Sequence, residues 1–365
     1  MLLYSNTSDV SVKRDSLTPA SVRRLICRMP HDTASQIASL ACPVCKTSLR
    51  ETGAALVCTT CGGEYRFQGH VRSFITRRMY GSAAEHEAAL KIIEFWGSGW
   101  AARLSDAEHA PLRSTSADAI RLYAEQSVVA HRTNQSTLAR IVDGGEVRGK
   151  TVLNIGSGAG TEALLLAHSG ADCIAMDITH EAAEAAQALI QKIDAKGFGI
   201  QADARFIPIQ SGSIDAVYSS GVLHHSPNIE QSIREIHRVL RPDGRIYIML
   251  YATWSILFMQ PRLFGFMQGR FSRRDQEDFV SANTERAWET ANRRNPLTMT
   301  FTTREVQALF SEFRDVTVDK RVFSVRQIKY VGRGLAALGL VNALDRGLKF
   351  LNPVVGACLF IEGRK

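Results

Sequence analysis

No run in the 365 residues reaches the ~18 consecutive apolar positions that a membrane-spanning helix needs. The stretch MLLYSNTSDVSVKRD at the start has no apolar core, so a secretory signal peptide is not expected. Those two absences predict a cytoplasmic chain with reduced thiols. Disulfides are then not the expected use of the seven cysteines, and four of them need another explanation. Composition is not extreme in either direction. With 45% hydrophobic and 22% charged residues the chain is ordinary globular material, long enough for one large or two modest domains.

Net positive charge is lacking in the middle of the chain and confined to its ends. Residues 1–80 carry 11 basic against 5 acidic groups and residues 251–365 carry 18 against 11, whereas 81–145 (6 against 8) and 146–250 (9 against 12) are mildly acidic. Basic flanks suit an anionic partner such as RNA, a phosphorylated carrier or a lipid surface, and are equally compatible with plain solvated charge.

Residues 1–38 are polar and mixed, with one short helix expected over 19–28, and read as an arm. Residues 39–78 contain LACPVCKTSLRETGAALVCTTCGGEYRF. Cys42 and Cys45 form one CxxC pair and Cys58 and Cys61 a second, with a hairpin-length segment between them. Each pair can turn two thiolates toward one ion, and soft sulfur with four-coordination favours structural Zn²⁺ in a zinc ribbon. The weaker alternative is a redox CxxC. The segment resembles the zinc-ribbon domain of the activator protein of tRNA and translation-factor methyltransferases, through Leu40-Ala41-Cys42-Pro43 and Gly62-Gly63-Glu64-Tyr65. A ribbon ahead of a methyltransferase is also the layout of bacterial rRNA guanine-N1 methyltransferases.

Residues 79–145 read as a helical lead-in, with apolar side chains recurring at three- and four-residue steps. The WGSGW stretch, Trp96 to Trp100, is expected to break the helix. Its indoles either pack the lead-in onto the core, the favoured reading, or stand at a ligand mouth.

From 146 the pattern changes. TVLNIGSGAGT runs from a short apolar strand into Gly156, Gly158 and Gly160 and then into TEALLLAH. Strands are expected over 173–176, 198–200, 214–219 and 245–250, with helices over 161–169, 180–193 and up to Leu240, followed by a turn at RPDG. Such alternation means a parallel, doubly wound α/β sheet whose ligands lie beyond the carboxyl ends of the strands. Asp177 closes the second strand, where an acid can accept from ribose hydroxyls. A nicotinamide fingerprint would need glycine where Thr161 stands.

The GxGxG form, Met176-Asp177, Asp203-Ala-Arg-Phe-Ile-Pro, the segment from Ser213 to His225, and Arg238-Val-Leu-Arg-Pro-Asp-Gly together resemble the class I S-adenosylmethionine-dependent methyltransferases. Among these the chain looks most like the group containing the ubiquinone/menaquinone-biosynthesis enzymes, the methyltransferase type 11 group. The resemblance covers roughly 146–250. It implies a Rossmann-like, seven-stranded, mostly parallel sheet with helices on both faces. It also implies that Gly156, Ser157 and Gly158, with Gly160, pass under the methionine end of the cofactor. Asp177 would hold its ribose, Ile178 the adenine face, and Asp203 and Ala204 the adenine amino group and ring, with Ser219 beside the methyl. Asn154 stands where this family usually carries an acid, so it brings an amide but no charge to the methionine end.

Methyl transfer to a hydroxyl also needs a base, for which His225, or His224, is the candidate; a loop-shaping role is the alternative. No D/N-P-P-Y/F motif follows strand four, which argues against exocyclic amines on adenine or glutamine. The acceptor expected is therefore a small molecule or a lipid- or carrier-linked one, with oxygen or carbon ahead of exocyclic nitrogen. The alternatives are an rRNA or tRNA base methyltransferase guided by the ribbon, and a cofactor-binding scaffold without transfer activity, for which Asn154 is the hint. Residues 252–300 interrupt the domain with an apolar insertion that Pro261, Gly265 and Gly269 are expected to break. It reads as a lid, as an interfacial membrane contact backed by Arg270, Arg273 and Arg274, or as core packing. A helix over 303–310, a strand over 316–322, a helical stretch over 335–351 and a strand over 356–362 then complete the domain.

Overall fold

The structure, a computed structural model, describes residues 39–105, 116–133, 137–269, 295–328 and 340–365, with isolated positions between these segments. The polar arm of 1–38 and the three arginines Arg270, Arg273 and Arg274 lie outside the described residues. In chain order the elements are β1 (Leu49–Thr52), β2 (Ala55–Cys58), β3 (Glu64–Gln68), β4 (Val71–Ser73), α1 (Ala83–Ser105), α2 (Ala117–Thr133), α3 (Thr137–Asp143) and β5 (Thr151–Ile155). Then come α4 (Thr161–His168), β6 (Asp172–Asp177), α5 (His180–Lys192), β7 (Gly197–Gln201), β8 (Ile214–Ser220), α6 (Ile229–Val239) and β9 (Leu240–Tyr251). The chain ends with α7 (Ile256–Met267), α8 (Thr303–Leu309), β10 (Arg314–Arg321), α9 (Val341–Gly347) and β11 (Cys358–Arg364).

The strands join one sheet in the order β1-β2-β3-β4-β7-β6-β5-β8-β9-β11-β10. From β7 to β10 this is a seven-stranded, doubly wound α/β sheet, parallel except for β11, which runs antiparallel to both β9 and β10. Its central strands alternate between two apolar layers. Val152, Cys173 and Ala216 face α2, α4 and α5, while Leu153, Ile174 and Val217 face α6 and α8. Both faces are covered, which is why these strands read as near-continuous apolar runs.

The four ribbon strands are not a detached module. β4 pairs in parallel with β7, and Leu40, Leu56, Tyr65 and Phe74 belong to the same apolar layer as α6 and the inner strands. Lys46 in the first cysteine turn bonds Glu235 on α6 at 2.5 Å, and Ala41 N donates to Pro208 O. At roughly 40 residues a ribbon has little core of its own; here it borrows one.

Three local expectations give way. α1 runs unbroken through Trp96–Trp100, because Gly97 is where it meets α5: a Cβ there would lie 3.0 Å from Glu181 Oε2. α7 continues through Pro261 and ends before Gly269, whose φ of 80° supplies the left-handed residue of a helix stop. The RPDG stretch is the start of β9 rather than a separate turn, and Asp243 at φ 62° accompanies a register shift against β8. Among the described residues no helix is long and apolar enough to cross a membrane.

Candidate active site

β5 ends in the centre of the sheet, and the chain leaves it through residues with left-handed backbone: Gly156 at φ 78° and Gly158 at φ 55°. Gly156 N donates to Met176 O at 2.7 Å, which holds the turn against β6. A side chain at either glycine would collide with protein. An added Cβ would be 2.1 Å from Val222 Cγ2 at Gly156 and 2.6 Å from the Trp100 ring at Gly158. The Cβ-free space expected for a ligand is thus shared with Val222 and Trp100. Gly160 caps α4 and lets it approach Ala186 of α5.

Above this turn lies a cavity of about 120 Å³. Ile92, Trp96 and Trp100 of α1, four residues apart, line one side. The opposite wall collects the strand ends: Gly156 and Gly158 after β5, Asp177 and Ile178 after β6, Asp203 and Ala204 after β7, and Val222 and His225 after β8. The lining is mostly apolar with a few convergent polar groups, as small-molecule sites are.

Asp177 is buried. Its Oδ1 accepts from Thr179 N at 2.9 Å and Thr179 Oγ1 at 2.8 Å, and its Oδ2 accepts from Gly158 N at 3.1 Å. Burial raises its pKa above the usual carboxylate range despite these bonds. Oδ2 retains a second lone pair, and Asp177 is among the residues lining the cavity. Asp203 is more heavily used. Arg205 meets it through Nη2 at 2.6 Å and through Nε at 3.1 and 3.2 Å, Arg205 N adds a bond at 2.9 Å, and Tyr80 OH donates to Oδ2 at 3.2 Å. Those contacts fill the roughly four acceptor positions of a carboxylate. An adenine amino group would therefore have to take the place of Tyr80. Neither Tyr80 nor Arg205 stands out from the sequence, although Arg205 is two residues from an acid it can chelate.

Asn154 is fully buried, and neither Nδ2 nor Oδ1 has a partner; Ser157 Oγ is in the same condition. Unpaired buried polar atoms at a strand end point to a ligand or an ordered water. On β8 the registered neighbour of Asn154 is Tyr218, whose hydroxyl bonds Glu162 Oε1 at 3.2 Å. Burial pushes the carboxyl of Glu162, an acid unremarked in the sequence, up to about 8. Ser219 is not at the cavity wall. Its hydroxyl donates to Ile155 O at 3.1 Å and braces β8 against β5.

The two histidines separate. His225 lines the cavity, packs beside Trp96 with ring centroids 4.8 Å apart, and bonds Leu297 O through Nδ1 at 2.7 Å. That bond places the proton on Nδ1 and leaves Nε2 as the basic nitrogen. His224 lies beneath it with no exposed surface, stacked on Tyr251 at 3.8 Å. Burial, with His225 beside it, lowers its pKa well below the ordinary value.

The cysteines meet as a second site. The Sγ atoms of Cys42, Cys45, Cys58 and Cys61 all lie within 4.8 Å of one another, and Cys42 and Cys61 are 3.7 Å apart. Four thiolates at ~2.3 Å from one tetrahedral ion would be ~3.8 Å apart. The two turns are built alike. Cys45 N and Cys61 N each point at the first sulfur of their pair, Lys46 N and Gly62 N return to the carbonyls of Cys42 and Cys58, and Lys46 and Gly62 both have left-handed backbone. This arrangement fits a closed, four-sulfur metal site.

Residues 153–248 match the family described as a methyltransferase domain. Over 99 residues the chain is 32% identical to an uncharacterized methyltransferase, YcgJ, of Bacillus subtilis (strain 168), covering 27% of this chain and 39% of that protein. Over 107 residues it is 34% identical to the demethylmenaquinone methyltransferase of Clavibacter sepedonicus, covering 29% and 43%. The chain thus spans less than half the length of these relatives. The crystal structure of the Bacillus YcgJ protein is similar with a TM-score of 0.42 and 21% identity, covering 64% of this chain and 98% of that one. Residues 153–248 are a methyltransferase domain.

Proposed function

We propose that the chain transfers a methyl group from S-adenosylmethionine to a small or lipid- or carrier-linked acceptor, at oxygen or carbon rather than at an exocyclic nitrogen. The observation that carries the reading is the convergence, in one cavity, of the glycine turn, Asp177-Ile178, Asp203-Ala204 and His225. The bound sulfonium would supply a methyl group that is already activated. The protein's part is then to bind, orient and manage a proton. Asp177 can accept from a ribose hydroxyl, Ile178 and Ala204 can flank a planar base, and Asn154 and Ser157 can satisfy the amino-acid end. Nε2 of His225 can take the proton of an acceptor hydroxyl, a contribution of ~10²–10⁴ in rate. One relative is named for demethylmenaquinone, which favours an oxygen or carbon acceptor without naming the one used here.

The four cysteines are read as holding one Zn²⁺ that stabilises the ribbon, since four sulfur ligands leave no open coordination position. The test is incubation of the protein with methyl-labelled S-adenosylmethionine and fractionated cell extract. Label in small-molecule or lipid fractions supports the proposal. Label in RNA would replace it with the nucleic-acid reading, and binding of the donor without transfer would reduce the protein to a cofactor scaffold.

A further inference from the structure

Of the fourteen large apolar side chains exposed on the described surface, eleven fall in two short runs, 254–271 and 338–354. α7 buries Phe258 and Gly265 inward and turns Met259, Leu263, Phe266 and Met267 outward, a stripe at helical spacing; Met267 is 74% exposed and Leu263 63%. The second run adds Phe350 at 70% and Val354 at 66%. The runs are neighbours in space, because Lys320 Nζ donates to the carbonyls of both Trp254 and Val354. Gln260 of α7 also bonds Gln327 O at 2.6 Å, while Val325 N bonds Asp345 of α9 at 2.8 Å. Exposed apolar patches of this extent mark interaction surfaces rather than ordinary monomer surface.

Cations are concentrated within the two runs themselves, and the acids Asp275, Glu277 and Asp278 follow directly after the first. The sequence from 254 to 274 holds four arginines and no acid. In the second run the one acid, Asp345, is turned inward, accepting from Ser324 Oγ at 2.7 Å and from Val325 N. Arg346 and Lys349 remain exposed on the same helical turn region, with no ion pair among the described residues. Exposed apolar side chains beside the exposed cations Arg346 and Lys349 fit the boundary between acyl chains and anionic headgroups. The patch is also close to the cavity. Phe258 packs on Tyr251 at 4.9 Å, Tyr251 stacks on His224, and His224 touches His225 at 4.3 Å.

We propose that this face seats the chain on an anionic bilayer, and that the acceptor is taken from that bilayer. The first clause stands on the surface alone; the second rests on the methyl-transfer reading. The experiment is co-flotation of the full chain with vesicles of phosphatidylcholine alone and with roughly a third phosphatidylglycerol added, which gives the surface the negative potential of an anionic leaflet. It is repeated for Leu263→Glu/Phe266→Glu, which introduces charge at exposed positions, and for Arg346→Glu/Lys349→Glu. Wild type should float with the anionic vesicles. Each variant should partition at least tenfold less, with binding falling as salt rises. Calorimetry with S-adenosylhomocysteine on the same samples separates the two readings. Unchanged cofactor affinity with lost flotation supports the membrane face, and absent cofactor affinity with intact flotation would remove only the acceptor clause. No flotation of the wild type, or flotation indifferent to all four substitutions, would overturn the proposal. So would a sedimenting dimer of the wild type that the Leu263→Glu/Phe266→Glu pair dissociates.

Discussion

Replacing Asn154 by leucine should make the protein more stable and a poorer binder of its cofactor. The side chain has no exposed surface and two polar atoms without partners. A buried polar group left unpaired costs ~1–3 kcal/mol, so removing two of them gains about 2–6 kcal/mol. Repacking a branched side chain between β6 and β8 returns about 1–3 kcal/mol of that. The central values leave a net gain of about 2 kcal/mol, a rise of a few degrees in Tm for a domain of this size. If the amide meets the amino-acid end of S-adenosylmethionine, one or two hydrogen bonds are lost. At ~0.5–1.5 kcal/mol each, more if the partner is charged, affinity for S-adenosylhomocysteine should fall about tenfold. Scanning calorimetry on the cofactor-free protein and titration calorimetry with the ligand read the two effects. A variant that melts lower and binds equally well would refute the reasoning, since it would mean that an internal water already satisfies the amide and the ligand never reaches it.

His225→Gln should lower kcat on a hydroxyl acceptor by ~10²–10⁴ while leaving cofactor affinity in place, whereas His224→Phe should keep most of the rate because a phenyl ring preserves its packing on Tyr251 and His225; equal losses would contradict the separation of their roles. Elemental analysis should find one zinc per chain, and Cys45→Ser should lose it and lower Tm. A metal-free protein with the wild-type melting curve would count against a structural ion. The Glu162 carboxyl, pushed up to about 8, binds its proton more tightly folded than unfolded. Its contribution to stability is therefore complete below about pH 4.5 and is lost as pH rises toward 8. Glu162→Gln should match wild type in urea unfolding at pH 5 and exceed it at pH 8.5, and parallel pH dependence would show that the carboxyl is not buried in solution.

What the chain does with its backbone was largely legible. Strand-glycine-helix periodicity located β5 and α4, and the acids at the ends of β6 and β7 fall on the edge where the cavity lies because strands of a parallel sheet end together. The cysteine spacing located the two turns of the ribbon. Legibility ended where side chains from distant segments meet. Nothing local to Asp203 says that Tyr80, more than a hundred residues earlier, takes up one of its oxygens, or that Glu162 meets the hydroxyl of Tyr218. Trp96 and Trp100 were visible as a pair, but Gly97 and Gly99 suggested a break; close packing against α5 keeps the helix whole. Pro261 likewise looked like a helix end, and tertiary packing of Phe258 carries α7 through it.

The account stands or falls on the cavity over the glycine turn being the S-adenosylmethionine site. Titration calorimetry of S-adenosylhomocysteine into the wild type and into Asp177→Ala tests this most directly. One-site binding to the wild type, weakened by two orders of magnitude or more in the variant, is the expected result. Absence of binding to the wild type, or equal affinity in Asp177→Ala, would contradict it.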